Sequence, residues 1–163
     1  MTIRRLTGRD VAAWRALRLE GLAAHPEAFL TTVAEMEAQT LDENMARIDE
    51  SMTFGTFDGE HMTGTISVDP KTGATAHRAV INAVYVSKAA RRRGLAKALV
   101  DAAISAARDT GFIQLELFVA AENAPAINLY RAAGFREIGR IPRAVRLADR
   151  YQDDLMLALQ LDA

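Results

Sequence analysis

The stretch from Ile81 to Ala107, INAVYVSKAARRRGLAKALVDAAISAA, constrains the fold more than any other part of the chain. It opens as a strand, because Val84-Tyr85-Val86 is β-branched and aromatic and Ser87-Lys88 ends the apolar run. It closes as a helix, because Leu95, Leu99, Ala103 and Ala106 recur at spacings of three and four before Gly111. Between them lies Arg91-Arg92-Arg93-Gly94-Leu95-Ala96. A turn there leaves the first helical amides unpaired, with the positive end of the helix dipole behind them. Gly94 lets the backbone bend and admits a ligand close to the main chain. Three arginines add charge at the same spot, so the turn suits an anion such as a pyrophosphate.

Neither G-x-x-x-x-G-K-[ST] nor G-x-G-x-x-G occurs, which excludes a P-loop and a dinucleotide fingerprint. The pattern [QR]-x-x-G-x-[GA] does occur, at Arg91, Gly94 and Ala96. Acids and bases nearly cancel, at a net charge of −1, so the arginines act locally and nothing calls for nucleic acid. The absence of cysteine rules out a thiol nucleophile and a thiolate metal site, and no metal is expected. At 163 residues the chain suits a single domain over residues 1–163. No apolar run reaches membrane-spanning length and MTIRRLTGRD lacks a signal-peptide core, so a cytoplasmic protein without a membrane partner is expected.

Reading outward, Thr2–Leu6 is a short strand, and Val11, Trp14, Leu17, Gly21 and Leu22 mark one face of a helix that ends before Pro26. The segment 24–30 reads as a loop carrying Phe29 and Leu30, either a substrate lid or a plug of the core. A short charged helix follows from Leu41 to Asp49. Strands at 52–57 and 62–68 join through Asp58-Gly59, a hairpin signal. Another strand covers 79–86, and beyond the long helix come a strand at 112–119 and a helix with Asn123 as cap and Pro125 in its first turn. After Gly134 come a strand at 135–141, an arginine-bearing loop and a last strand at 151–161. The sum is a mixed α/β fold of about seven strands and four helices. Its fourth and fifth strands, joined by a helix, are parallel with a right-handed crossover.

A second motif lies downstream in LELFVAAENAPAINLYRAAGF. Asn123, Ala126, Leu129, Tyr130, Gly134 and Phe135 fit N-x-x-A-x-x-L-Y, three residues, then G-F. Both motifs, in this order and separation from Val84 to Phe135, resemble those of the GNAT family of N-acetyltransferases. The resemblance implies splayed central strands, acetyl-CoA as cosubstrate, and direct acetyl transfer to a primary amine. A small-molecule amine is the leading reading. A protein N-terminal or lysine acetyltransferase and a non-catalytic acyl-CoA-binding module are the alternatives, and a homodimer is possible.

It also implies roles for residues. Main-chain groups at Val84, Tyr85 and Val86 would meet pantetheine and the thioester carbonyl. The turn Arg91, Arg92, Arg93, Gly94, Leu95, Ala96 and Lys97 would take the phosphates. Asn123 would bond pantetheine or cap its helix, and Tyr130 would protonate the departing sulfur. The general base stays open. The strand-five glutamate of the ribosomal-protein N-terminal acetyltransferases falls on Phe118, and strand four offers Asn82 but no carboxylate. Glu116, read as a solvated residue, His77 and a water chain remain. Phe29, Asn82 and Glu116 are the candidate substrate contacts. The series Arg136, Arg140, Arg143, Arg146 and Arg150 reads as a solvated face or an attraction for acidic groups, and Asp153-Asp154 as an edge guard or a receiver of a cationic amine.

Overall fold

A computed structural model describes all residues from Met1 to Ala163. One sheet of seven strands takes the order β1-β2-β3-β4-β5-β7-β6. The strands are β1 (Thr2–Arg5), β2 (Met52–Asp58), β3 (His61–Pro70), β4 (Arg78–Val86), β5 (Gln114–Ala120), β6 (Arg136–Arg146) and β7 (Tyr151–Gln160). Five helices cover its faces: α1 (Val11–Ala24), α2 (Val33–Ala38), α3 (Leu41–Glu50), α4 (Leu95–Thr110) and α5 (Ala124–Ala132).

Alternation along the strands builds two cores, one on each face. On one face Leu99, Val100, Ala103 and Ile104 of α4 and Ile127 of α5 bury against Ile66, Ile81, Leu115, Leu117 and Leu157. On the other, Trp14, Leu17 and Leu22 of α1 meet Met36, Ile48, Phe57, Met62 and Tyr85. The spacing of three and four in α1 and α4 is thus a packing stripe in each case.

The centre of the sheet opens. Strands β4 and β5 pair in parallel only through Arg78–Val80 and Gln114–Glu116, and beyond that register they separate. Near the parting, β4 carries a bulge: Thr65 and Ser67 of β3 pair with Tyr85 and Asn82, leaving Ala83 and Val84 opposite the single residue between. Ala83 takes φ of 55°, a left-handed value that only a bulge makes tolerable in a strand. The extra residue resets the alternation, so Ile81 and Val84 share the α4 face while Tyr85 turns to α1.

Three expectations change. Residues 33–38, to which the sequence reading assigns no element, form α2, where Thr32 and Glu35 make a reciprocal capping box. The fold therefore has five helices and not four. Strand β6 does not stop at Ile141 but runs to Arg146, with a register break between Ile141 and Val145. Pro142 is tolerated because β6 is an edge strand with no partner on its outer side. Glu116 is not solvated: it is buried and paired with Arg78.

Candidate active site

The parting of β4 and β5 continues into a cleft of about 1100 Å³. Its walls come from Asn82 to Val86 of β4, Leu117 to Ala120 of β5, the start of α5, Gln152 and Asp154 of β7, and the α1 side of the molecule. Beyond Val80 the β4 edge facing β5 has no strand partner, so main-chain groups stay open toward the cleft.

Gly94 sits at the N-cap of α4 with φ of 72°, and a Cβ built there meets nothing within 4 Å. The first helical bond is from Ala98 N to Gly94 O, and the amides of Arg92 through Lys97 donate to no protein acceptor. Arg92 also has positive φ, at 63°, which turns successive N–H groups to one side. The turn is therefore open backbone. Its side chains are less uniform. Arg91 does not join the turn: its Nε donates to Val86 O at 3.3 Å and its Nη2 to His25 Nε2 at 2.9 Å. His25 consequently carries its proton on Nδ1, which donates to Glu27 at 3.2 Å. Arg93 reaches Asp58 at 3.5 Å and Lys97 reaches Asp101 at 2.6 Å, both on the surface.

Tyr130 lines the cleft from α5, while its ring packs edge-on against Phe135 at 5.9 Å. Its hydroxyl makes no hydrogen bond within the protein, and burial pushes its pKa up to about 12. Asn123 caps α5, its side-chain oxygen accepting from Ala126 N at 3.2 Å, and its side of the helix end also lines the cleft. The Tyr85 ring lies on the α1 side, where Gly21 makes room: a Cβ on Gly21 would sit 3.0 Å from that ring. Tyr85 donates its hydroxyl to Glu20 at 2.8 Å, so only its main chain is available to a ligand in the strand opening.

Of the three candidate substrate contacts, two belong to the cleft. Phe29 packs against the Tyr85 ring at 6.4 Å and lines the cavity, with Leu30 exposed at its rim. Asn82 also lines it and donates to Asp69, which is held by both Nη atoms of Arg47 at 2.7 Å. Glu116 does not belong. It lies at the paired end of β4 and β5, where Arg78 holds its carboxyl below the ordinary range and Gln114 adds a hydrogen bond. Arg78 and Gln114 thus consume the carboxylate that was a candidate base. His77, before β4, is likewise not a cleft residue.

Two further charged residues line the cleft: Asp154, which the sequence reading pairs with Asp153, and Arg18, which it does not single out. Asp154 is 7% exposed and accepts from Gln152 Nε2 at 3.2 Å, while Gln152 also donates to Glu27 O at 2.9 Å. Alternation separates it from Asp153, which turns outward to bind Arg140 and the Arg143 amide. Arg18, 8% exposed, is a guanidinium with no hydrogen-bond partner. Of the basic series, only Arg150 lines the cleft, bonded to Glu122 at 3.0 Å.

A mixed sheet split between two parallel strands, with open amides at a helix N-terminus beside the split, defines a class of α/β protein. The chain belongs to the GNAT acetyltransferase family, whose family model matches residues 14–135. It is 32% identical over 135 residues to a mycothiol acetyltransferase of Pseudarthrobacter chlorophenolicus and 33% identical over 135 residues to one of Renibacterium salmoninarum. Each match takes in 78% of this chain but only 40% and 38% of those relatives' lengths, so the chain spans well under half of them. Among solved structures, yncA of Salmonella typhimurium, solved with its cofactor acetyl-CoA, superimposes with a TM-score of 0.87 at 22% identity, over 100% of this chain and 95% of that one. A ribosomal-protein-alanine N-acetyltransferase of Brucella melitensis superimposes at 0.81 and 24% identity, over 99% and 100% of the two chains. These likenesses establish the fold. No helix of the chain is long and apolar enough to cross a membrane.

Proposed function

We propose that residues 1–163 form one N-acetyltransferase domain that moves the acetyl group of acetyl-CoA directly to the primary amine of a small molecule. One observation carries the reading. Tyr130, whose hydroxyl has no partner in the protein and whose pKa burial pushes up to about 12, lines the same cleft as the unpaired edge of β4.

The pyrophosphate takes the open amides of residues 92–97, and pantetheine follows the β4 edge through Val84 and Val86 toward the parting. Main-chain amides there polarise the thioester carbonyl and stabilise the oxyanion that forms on attack. The amine lone pair adds to the carbonyl carbon, the carbon–sulfur bond breaks, and Tyr130 gives its proton to the departing sulfur. Asp154, the one carboxylate that is both buried and in the cleft, receives the ammonium and takes its proton. The nitrogen, which after attack still carries a proton too many, gives it through water to the phenolate, and Asp154 releases its own proton to solvent. Asn123 caps α5 and so fixes Tyr130 at its place on that helix.

The names of the matched relatives, which refer to mycothiol, support a small-molecule acceptor. Phe118, standing where a base is used in ribosomal-protein N-terminal acetyltransferases, argues against a protein terminus. A panel of primary amines, peptides included, assayed by release of the CoA thiol tests the reading. Turnover on small amines exceeding that on peptides is expected. Tight acetyl-CoA binding with no transfer to any amine would replace it with a non-catalytic acyl-CoA-binding module.

A further inference from the structure

Cations around the cleft are paired, with one exception. Arg47 is held by Asp69, Arg91 by Val86 and His25, and Arg150 by Glu122. Arg18 lines the same cavity and has no acceptor. Its Nε and Nη1 are fully enclosed without a hydrogen bond, and Nη2 finds none either. The Trp14 Nε1–H, one helical turn earlier on α1, is also enclosed and unsatisfied. These are the only buried side-chain donors of the whole chain left in that state. The guanidinium carbon lies 5.9 Å from the Trp14 ring centre and 5.1 Å from that of Phe29, contacts that leave its N–H groups unsatisfied. Burial and the charge of Arg47 draw its pKa down to about 10, so it remains charged at neutral pH. A buried cation beside a second cation is costly unless an anion completes it.

Resting on the acetyltransferase reading, we propose that Arg18 and Trp14 form the receptor for a carboxylate on the acceptor, so the substrate class is a primary amine that also bears a carboxylate. A planar guanidinium matches the two oxygens of a carboxylate, and the indole N–H supplies a further donor on the same helix face. One unpaired cation suits a monoanion better than a phosphate dianion, which would demand more donors. Asp154 lies in the same cleft to take the ammonium. The two charges of the substrate are thereby met by opposite charges of the protein.

Trp14 is the single tryptophan of the chain, so its emission reports the receptor directly. The probes are L-amino acids and ω-amino acids, each paired with its carboxamide, and aminoalkyl phosphates as a third arm. Binding is followed by Trp14 fluorescence and transfer by CoA thiol release, in wild type, Arg18→Gln, Arg18→Lys and Arg18→Met. Wild type should favour a carboxylate over its amide by about a hundredfold or more in kcat/KM, mainly through KM, with matching fluorescence titrations. Arg18→Gln should erase that preference, Arg18→Lys should restore part of it, and acetyl-CoA affinity should hold in both. Arg18→Met should melt no lower than wild type, since it removes an unpaired buried charge. Carboxylates that quench Trp14 in an Arg18-dependent way without being acetylated would keep the receptor and overturn the transfer reading. Equal handling of acid and amide, a preference that survives Arg18→Gln, or stronger binding of the phosphates would overturn the receptor.

Discussion

Replacing Tyr130 by phenylalanine removes one oxygen and leaves the ring in place. The ring makes the packing contacts, edge-on to Phe135 and within the core of α4, α5 and the sheet, whereas the hydroxyl has no hydrogen bond to lose. Stability should therefore change by no more than about 0.5 kcal/mol. Turnover should fall by roughly 10²–10⁴, the usual share of a general acid, which is about 3–5 kcal/mol of barrier. Its pKa, pushed up to about 12 by burial, adds a pH signature. The raised value means the folded state holds the proton more tightly than the unfolded chain, whose phenol titrates near ~10. Tyr130 thus contributes no pH-dependent change in stability below pH ~10, and stability falls as pH rises from there toward about 12. By the same value, wild-type turnover should show no alkaline loss from this group below pH ~10. Steady-state CoA release across pH, with thermal melting alongside, makes the comparison. A folded Y130F with wild-type turnover on its best amine would refute the acid role and leave proton transfer to water.

Further outcomes follow from the neighbouring groups. Asp154→Asn should lower turnover on amines by at least tenfold while acetyl-CoA affinity, measured by calorimetry, stays unchanged. A loss that vanishes at alkaline pH, where the amine is already neutral, would identify Asp154 as the proton acceptor. Glu116→Gln should leave turnover intact but lower the melting temperature at neutral pH, because the Arg78 partnership lost is one that holds the carboxyl below its ordinary range. A depressed pKa supplies stability above the unfolded value that disappears as pH falls through the folded one, so melting of the two proteins should converge in acid. Equal melting at neutral pH would show the pair to be without effect.

What the sequence could reveal was local. The turn at Arg91–Gly94 and the cap at Asn123 depend on residues a few positions apart, so their chemistry shows in the string of letters. The bulge at Ala83 depends on how β3 and β4 register, and nothing in INAVYV marks the extra residue. Glu116 looked solvated because Arg78 is far off in the chain, brought alongside only by parallel pairing of β4 with β5. Short α2, with Met36 as its one buried side chain, gave too little periodicity to stand out from a loop. Asp153 and Asp154 were read together, and only the strand's alternation sends one to Arg140 and the other into the cleft. Arg18 sits beside the apolar stripe of α1, where its lack of a partner shows only once α1, Phe29 and the sheet are assembled.

We propose that acetyl-CoA lies along the opened strands with its pyrophosphate on the amides before α4. Calorimetric titration of acetyl-CoA into wild type and Gly94→Val tests it most directly. In the protein itself a Cβ at Gly94 meets nothing, so the substitution acts through φ of 72° and through the space the phosphates would occupy. A β-branched residue in that left-handed conformation costs about 1–2 kcal/mol, too little by itself to unfold a typical domain. One site per chain is expected in wild type, and an affinity more than tenfold weaker, over about 1.4 kcal/mol, in the folded variant. Absence of binding in wild type, or an unchanged affinity in folded G94V, would contradict it.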